Sequence, residues 1–376
     1  MSNTFHLLNG SVSILEALHT ALENCHKTLY VQFSTFEGDS SGQAFAHMLM
    51  EKAAQGVDVR LMVDCYSDVV VSDIYPTLIH KRHTVAAEIA RTHALFDELR
   101  SKGIPVKRTA PPGFMGRYLL YRDHKKMVVL DDEVAFVGGI NVSDHNYAWH
   151  DFMVKISGEL VKNLKTDYCS TWEGSTITLN TPRPSGDFVL NQCAGRYSIF
   201  EEILRMIESA QHKLVIESPY LMGDHIETAI LDAARRGVKV TLIIPFHSNK
   251  LVYRLWVRKM YQRLTHPGIT IYGYRGDHDM THAKLVIVDD RRATFGSLNM
   301  FELEGLTQKE LNIFTDNADF IQQVQEFISQ DIASSQIIPQ PPKHTFGHFS
   351  YTLLYYFFKW WTNRLIQNPE WTAVYC

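Results

Sequence analysis

Neither sign of charge dominates this chain of 376 residues: 37 lysines and arginines face 41 aspartates and glutamates, a formal net charge of −4. A broad positive surface for nucleic acid is therefore not expected, although local basic patches stay open as a possibility. Cysteine is sparse, scattered and odd in number (Cys25, Cys65, Cys169, Cys193 and Cys376), with no CxxC pair, which reads as reduced thiols in a cytosolic compartment. Cys376 is the last residue rather than the fourth from the end, so it makes no prenylation box. The start, MSNTFHLLNG, lacks both a basic cluster and a long apolar run, and no signal peptide is expected.

What is present is a globular composition, 45% hydrophobic and 21% charged, on a chain longer than one core usually holds. Two domains or two fused halves follow. The sequence repeats itself: GSVSILEALHTALENCHKTLYVQ at 10–32 matches GRYSIFEEILRMIESAQHKLVIE at 195–217, each an amphipathic helix followed by a short strand. EKAAQGVDVRLMVD at 51–64 mirrors DAARRGVKVTLIIP at 232–245, a helix end, a glycine stop and a buried strand. The expected division is a first half at 1–175, a linker at 176–190 within a stretch rich in Pro, Ser, Thr and Gly, a second half at 191–332, and a tail at 333–376. From Gly56 to His124 there are 68 residues, against 45 from Gly237 to His282, so the first half holds about 23 more, expected to include the helical pattern at 84–103.

The tail contains TFGHFSYTLLYYFFKWWTNRL, whose uncharged run of 15 residues falls short of the roughly 20 a spanning helix needs. It reads either as a core helix on the second half or, with aromatics beside Lys359 and Arg364, as an anchor at a membrane interface. Lys250, Arg254 and Arg258, at four-residue steps with Leu251, Leu255 and Trp256 beside them, make a basic stripe suited to anionic headgroups, or an ordinary solvated helix.

The chemistry sits in a motif carried twice. DHKKMVVLDDEVAFVGGIN holds His124, Lys126, Asp131, Gly138 and Asn141, and THAKLVIVDDRRATFGSLN holds His282, Lys284, Asp289, Gly296 and Asn299, each 158 positions later. One such match has a chance probability of about one in ten thousand at average residue frequencies; two inside a duplication are not chance. In an extended chain His and Lys, two residues apart, project to one face, and a hairpin back to the Asn brings its amide and a glycine backbone nearby. Ammonium and amide suit phosphoryl oxygens, while imidazole can attack phosphorus or protonate a leaving oxygen. Two histidines in different protonation states need partners, and Asp151, 27 residues after His124, and Glu310, 28 after His282, stand at matching offsets to fix each imidazole. Asp277, His278, Asp279 and His282 could be read as a metal cluster, but Lys284 would repel a cation, and HKRH at 80–83 reads as a solvated loop.

The doubled His-x-Lys-x4-Asp with its Gly-Gly/Ser-x-Asn sequel resembles the phospholipase D superfamily. Nearly the whole chain, through RTAPPGFMGRYLLYRDHKKMVVLDD, WHDFMVKISG and the aromatic tail, is similar to the short bacterial cardiolipin synthases that lack N-terminal transmembrane helices. The resemblance implies an α/β fold of tandem α-β-α sandwich halves with pseudo-two-fold symmetry and one active site at their interface. It implies a phosphohistidine on one histidine, assigned to His124, with His282 as acid. Lys126, Lys284, Asn141 and Asn299 would hold the phosphate, Asp131 and Asp289 would tie the hairpins, and no cofactor or metal is implied. Gln308 in TQKE departs from the family's usual Asn and leaves the acceptor alcohol open. The expected activity is phosphatidyl transfer making cardiolipin, at the cytoplasmic face of an anionic phospholipid membrane. Hydrolysis to phosphatidic acid, a nuclease of the same superfamily and a silent membrane adaptor are the alternatives.

Overall fold

The computed structural model describes residues 2–71, 82–111, 113, 120–175, 177–179, 181–193, 198–248, 251–276 and 279–339, with Tyr356, Phe357, Trp360 and Arg364. Most of the aromatic tail, residues 80–81 of the HKRH stretch, Asp277, His278 and the side chains of the basic stripe lie outside them.

Two sheets carry the duplication. In the first, strands run in the spatial order Thr4–Asn9, Phe152–Ser157, Val134–Gly138, Met127–Leu130, Thr28–Phe33, Asp58–Asp64 and Val106–Thr109. In the second the equivalent order is Phe188–Gln192, Gln308–Thr315, Arg292–Gly296, Leu285–Val288, Lys213–Glu217, Lys239–Pro245 and Ile269–Tyr274, with Ser335–Ile337 added at the far edge. The central pairs are parallel, Thr28–Phe33 with Asp58–Asp64 and Lys213–Glu217 with Lys239–Pro245, because a helix crosses over between them. The motif hairpins are antiparallel, Met127–Leu130 with Val134–Gly138 and Leu285–Val288 with Arg292–Gly296.

Near-continuous apolar strands predict sheets covered on both faces, and the core has that form. One cluster, including Leu29, Leu61, Phe96 and Phe136, fills the outer side of the first sheet. Another, including Leu214, Ile230 and Leu242, fills the outer side of the second. Between the sheets lies a shared core in which Met62, Val129 and Phe152 of the first half join Val215, Phe295 and Phe320 of the second. The helices Leu160–Glu173 and Ala318–Ala333 supply Leu164, Tyr168, Val324 and Phe327 to that shared layer. Phe295 meets Phe5 at 6.4 Å and Phe152 at 6.4 Å between ring centroids, so aromatic packing crosses the junction.

Two expectations change. The helix anticipated at 84–103 exists as Arg82–Ser101, but it is not the insertion: Leu251–Arg263 occupies the same topological place in the second half. Seven of the extra residues lengthen that helix, 20 residues against 13, and the rest lie in the connections around it. The expectation of thiols throughout also fails, because Cys193 is disulfide-bonded, whereas Cys25, Cys65 and Cys169 are free.

Candidate active site

Each motif hairpin is fixed by its aspartate. Asp131 and Asp289 adopt left-handed backbone, φ 50° and 52°, a conformation Asp tolerates better than most residues. From there the Asp131 carboxylate accepts the backbone N–H groups of His26 (2.5 Å), Lys27 (2.8 Å) and Thr28 (2.6 Å). Asp289 accepts those of Gln211 (2.9 Å), His212 (2.7 Å) and Lys213 (2.8 Å). Partial burial acts to raise both carboxyls, yet the amide donors prevail and hold them below the ordinary carboxylate value. Both aspartates therefore tie a turn to the start of a central strand.

The His-x-Lys segments run just ahead of their strands. Lys126 Nζ donates to the His124 carbonyl at 2.5 Å and Lys284 Nζ to the His282 carbonyl at 2.6 Å, which folds each ammonium back toward its own histidine, and Lys284 Nζ also stands 3.0 Å from His282 Nδ1 and 3.1 Å from Nε2. The intervening Lys125 points the other way, into the core, where it is paired with Asp167 (2.7 Å) and Thr171 (2.6 Å).

The carboxylates cross over. Matching offsets suggested that Asp151 serves His124 and Glu310 serves His282. The structure places His124 Nδ1 2.9 Å from Glu310 Oε1 and His282 Nδ1 2.7 Å from Asp151 Oδ2. The backbone crosses in the same way: His124 N donates to Lys309 O (2.9 Å) and His282 N to His150 O (2.7 Å). The short strand Arg122–Asp123 accordingly pairs with Gln308–Lys309 of the other half. The pseudo-two-fold relation makes this consistent, since the strand after each hairpin, Phe152–Ser157 or Gln308–Thr315, starts beside the opposite histidine.

The glycines of the motif have local causes. A Cβ on Gly138 or Gly296 would overlap the backbone of the neighbouring strand, at Phe152 and Leu311 respectively. Gly139 lies against Asp151, where a Cβ would sit 2.5 Å from Oδ1 and 2.6 Å from Oδ2. In the second copy that position is Ser297, whose hydroxyl donates to Glu310 Oε2.

His124, His282, Asn141 and Asn299 line one cavity of about 220 Å³ at the junction of the halves. Asn141 Oδ1 accepts the Thr35 amide (3.0 Å) and Asn299 Nδ2 donates to Glu304 Oε2 (2.5 Å). The wall also includes Gln308, marked in the sequence as a departure, and residues that no sequence pattern marked: Arg122, Trp149, Tyr220 and the buried carboxylates Glu37 and Glu304. Arg122 is aimed by a buried ion pair with Asp64 (3.0 Å), and the Trp149 ring packs 5.1 Å from that of His282. Glu302 and Glu304 stand in an otherwise apolar stretch right after Asn299, a signal that could have marked them.

Burial sets the charges. Desolvation pushes Asp151 up to about 6 and Glu310 up to about 7, against the pull of Lys284 and Lys126 respectively. Desolvation also lowers Lys126 to about 7, aided by Lys284 and opposed by Glu310. Carboxylates and ammonium are thus poised near neutrality, as acid–base and phosphate-binding work requires.

The fold and site define a class: a duplicated α/β protein in which two imidazoles, each held by a carboxylate of the opposite copy with a lysine folded back toward its histidine, share one cavity. Residues 18–172 and 203–332 match the family described as "Cardiolipin synthase, PLD-like domain", and the chain belongs to that family. A probable cardiolipin synthase, YwiE, of Bacillus subtilis (strain 168) is 25% identical over 357 residues, covering 89% of this chain and 67% of that protein. A cardiolipin synthase of Geobacillus thermodenitrificans (strain NG80-2) is 28% identical over 323 residues, covering 80% of this chain and 60% of that protein. The chain thus spans about two thirds of the length of the curated relatives it matches. The crystal structure of phosphatidylserine synthase from Haemophilus influenzae Rd KW20 shares the fold, with TM-score 0.71 at 16% identity over 96% of this chain and 94% of that one.

Proposed function

We propose that this chain is a phosphatidyltransferase that makes cardiolipin from phosphatidylglycerol and a second phospholipid or alcohol, through a phosphohistidine. The observation that carries the reading is the pair of carboxylate-held imidazoles facing one cavity, His124 with Glu310 and His282 with Asp151. In the reaction His124 Nε2 attacks phosphorus and the P–O bond to the leaving alcohol breaks. His282 gives its proton to that alcohol, then takes one from the hydroxyl of the acceptor, which attacks the phosphohistidine and releases His124. Lys126 and Lys284 meet the phosphoryl oxygens as negative charge builds on them, with the amides of Asn141 and Asn299 alongside. Asp131 and Asp289 hold the hairpins.

The division into a first half at 1–175, linker at 176–190, second half at 191–332 and tail at 333–376 belongs to this reading. So does a peripheral position on the cytoplasmic face of an anionic membrane, reached through the basic stripe and aromatic tail. No described helix is long and apolar enough to cross a membrane. Exposed Tyr356, Phe357 and Trp360 support an interfacial role for the tail.

The experiment is incubation of purified protein with phosphatidylglycerol vesicles, with and without phosphatidylethanolamine, with products identified by mass spectrometry. Cardiolipin that disappears in His124→Ala and His282→Ala supports the transferase and names the donor. Phosphatidic acid alone means water is the acceptor, and no lipid product from folded, vesicle-bound protein overturns the lipid reading in favour of a nucleic-acid substrate.

A further inference from the structure

Behind the cavity lies a second cluster of titratable groups that the transfer reaction does not use. His150 directly precedes Asp151, and Thr281 directly precedes His282; the two are joined by a parallel backbone bridge across the halves. The His150 ring is sandwiched between Tyr274 (4.6 Å between centroids, 16° between planes) and Phe327 (5.2 Å, 9°). It extends Nε2 to within 2.7 Å of Asp331 Oδ1, on the helix Ala318–Ala333. Glu217, the last residue of the strand Lys213–Glu217, completes the group, and the ligating atoms of all three residues lie within 4.8 Å of one another.

Both carboxylates are dry, Glu217 at 0% and Asp331 at 2% exposure. Thr281 donates its hydroxyl to Glu217 Oε1, but Glu217 Oε2 and Asp331 Oδ2 are buried with no hydrogen-bond partner. Among the described residues no lysine or arginine pairs with either one. Burial pushes both carboxyls up, Asp331 to about 7, so the pair stays neutral by holding protons unless a cation takes the protons' place. A divalent cation balances the pair: two carboxylates, one neutral imidazole and one M²⁺ sum to zero.

We propose that His150, Glu217 and Asp331 form a buried structural site for one divalent transition-metal ion, with zinc the best match. One imidazole and two carboxylates are the donor set that zinc accepts, and calcium or magnesium would call for more oxygens. Zinc bonds of about 2.0–2.1 Å set ligand atoms roughly 3.3 Å apart in a tetrahedron, so modest side-chain rotation completes the cage. The His150 side chain keeps 12% exposure, which gives the ion a way in. Bound there, the ion joins a residue of the first half to a strand and a helix of the second, immediately behind Asp151 and His282, and touches no substrate.

The test is metal analysis of the full-length protein, equilibrated with zinc sulfate, passed over a desalting column and measured by inductively coupled plasma mass spectrometry. About one zinc per chain is expected, with a rise in Tm that a chelator reverses. Glu217→Gln with Asp331→Asn should abolish the uptake. Uptake that survives in that variant places the ion elsewhere and overturns the proposal, as does a wild-type chain that retains no zinc and shows no shift in Tm. If the variant fails to fold, cobalt(II) titration of the wild-type chain decides: a tetrahedral absorption spectrum saturating at one equivalent supports the site. A spectrum unchanged from aqueous cobalt overturns it.

Discussion

Asp151 Oδ2 stands 2.7 Å from His282 Nδ1, although the two residues belong to different copies of the repeat. Glu310 returns the arrangement to His124 at 2.9 Å. Neither motif histidine takes this carboxylate from its own half, so the two pairs exist only where the halves meet.

Removing either carboxylate's charge should disable the histidine of the opposite half. Asp151→Asn and Glu310→Gln are each expected to lower kcat by about 10²–10⁴-fold, the range found when the orienting acid of a triad is neutralised. Histidine ¹⁵N resonances assign the effect. Asp151→Asn should change the tautomer signal of His282 and leave that of His124 in place, and the opposite pattern would mean that pairing stays within each copy.

Activity should peak close to neutral pH. On the acid side, protonation of Asp151 (about 6) and Glu310 (about 7) removes the acceptors that hold Nδ1–H. On the alkaline side Lys126, lowered to about 7, loses the charge that meets the phosphate. Lys126→Arg keeps its charge and should extend the alkaline limb of kcat/KM without moving the acid limb. Stability follows with the opposite sign for the carboxyls. Raised in the fold, they contribute stability below the ordinary carboxylate value of about 4, and lose it as pH rises through about 6 to 7.

Gly139→Ala puts a methyl group against the Asp151 carboxylate, 2.5 Å from Oδ1. The carboxylate must shift, so transfer should slow and stability should fall by about 1–3 kcal/mol. Urea denaturation and vesicle assays on one preparation measure both. The matching change Ser297→Ala removes a donor to Glu310 without crowding, and should slow transfer with a smaller loss of stability.

Asp131→Ala and Asp289→Ala should separate folding from chemistry. Each leaves three backbone N–H groups without their carboxylate, which costs about 2–4 kcal/mol. The Tm should drop, while activity per folded molecule, measured well below it, should stay near that of the parent. A selective loss of kcat at full folding would give these aspartates a direct part in the reaction.

The fold was legible because the duplication writes it twice: a continuous apolar strand after each His-x-Lys and a helix–glycine–strand unit in each copy. The cavity's histidines and asparagines were legible for the same reason. The crossed pairing was not, because offsets of 27 and 28 residues fit a partner in either copy, and only the packing of Phe152, Phe295 and Phe320 into one shared core brings the opposite carboxylates closer. Arg122, Trp149 and Glu37 left no trace in spacing, since they reach the cavity from separate loops and strand ends. His150, Glu217 and Asp331 are farther apart still along the chain, and meet only across the junction.

The crossing of Asp151 and Glu310 has a further consequence for how such a chain can change. In a symmetric pair of identical subunits, one substitution would alter the surroundings of both histidines at once. Here each environment is spelled out separately, and the copies have already drifted apart: an aspartate beside a bare glycine serves one imidazole, and a glutamate steadied by a serine serves the other. Fusion leaves the two histidines free to specialise, as the proposed division into a phosphoryl carrier and a proton donor requires.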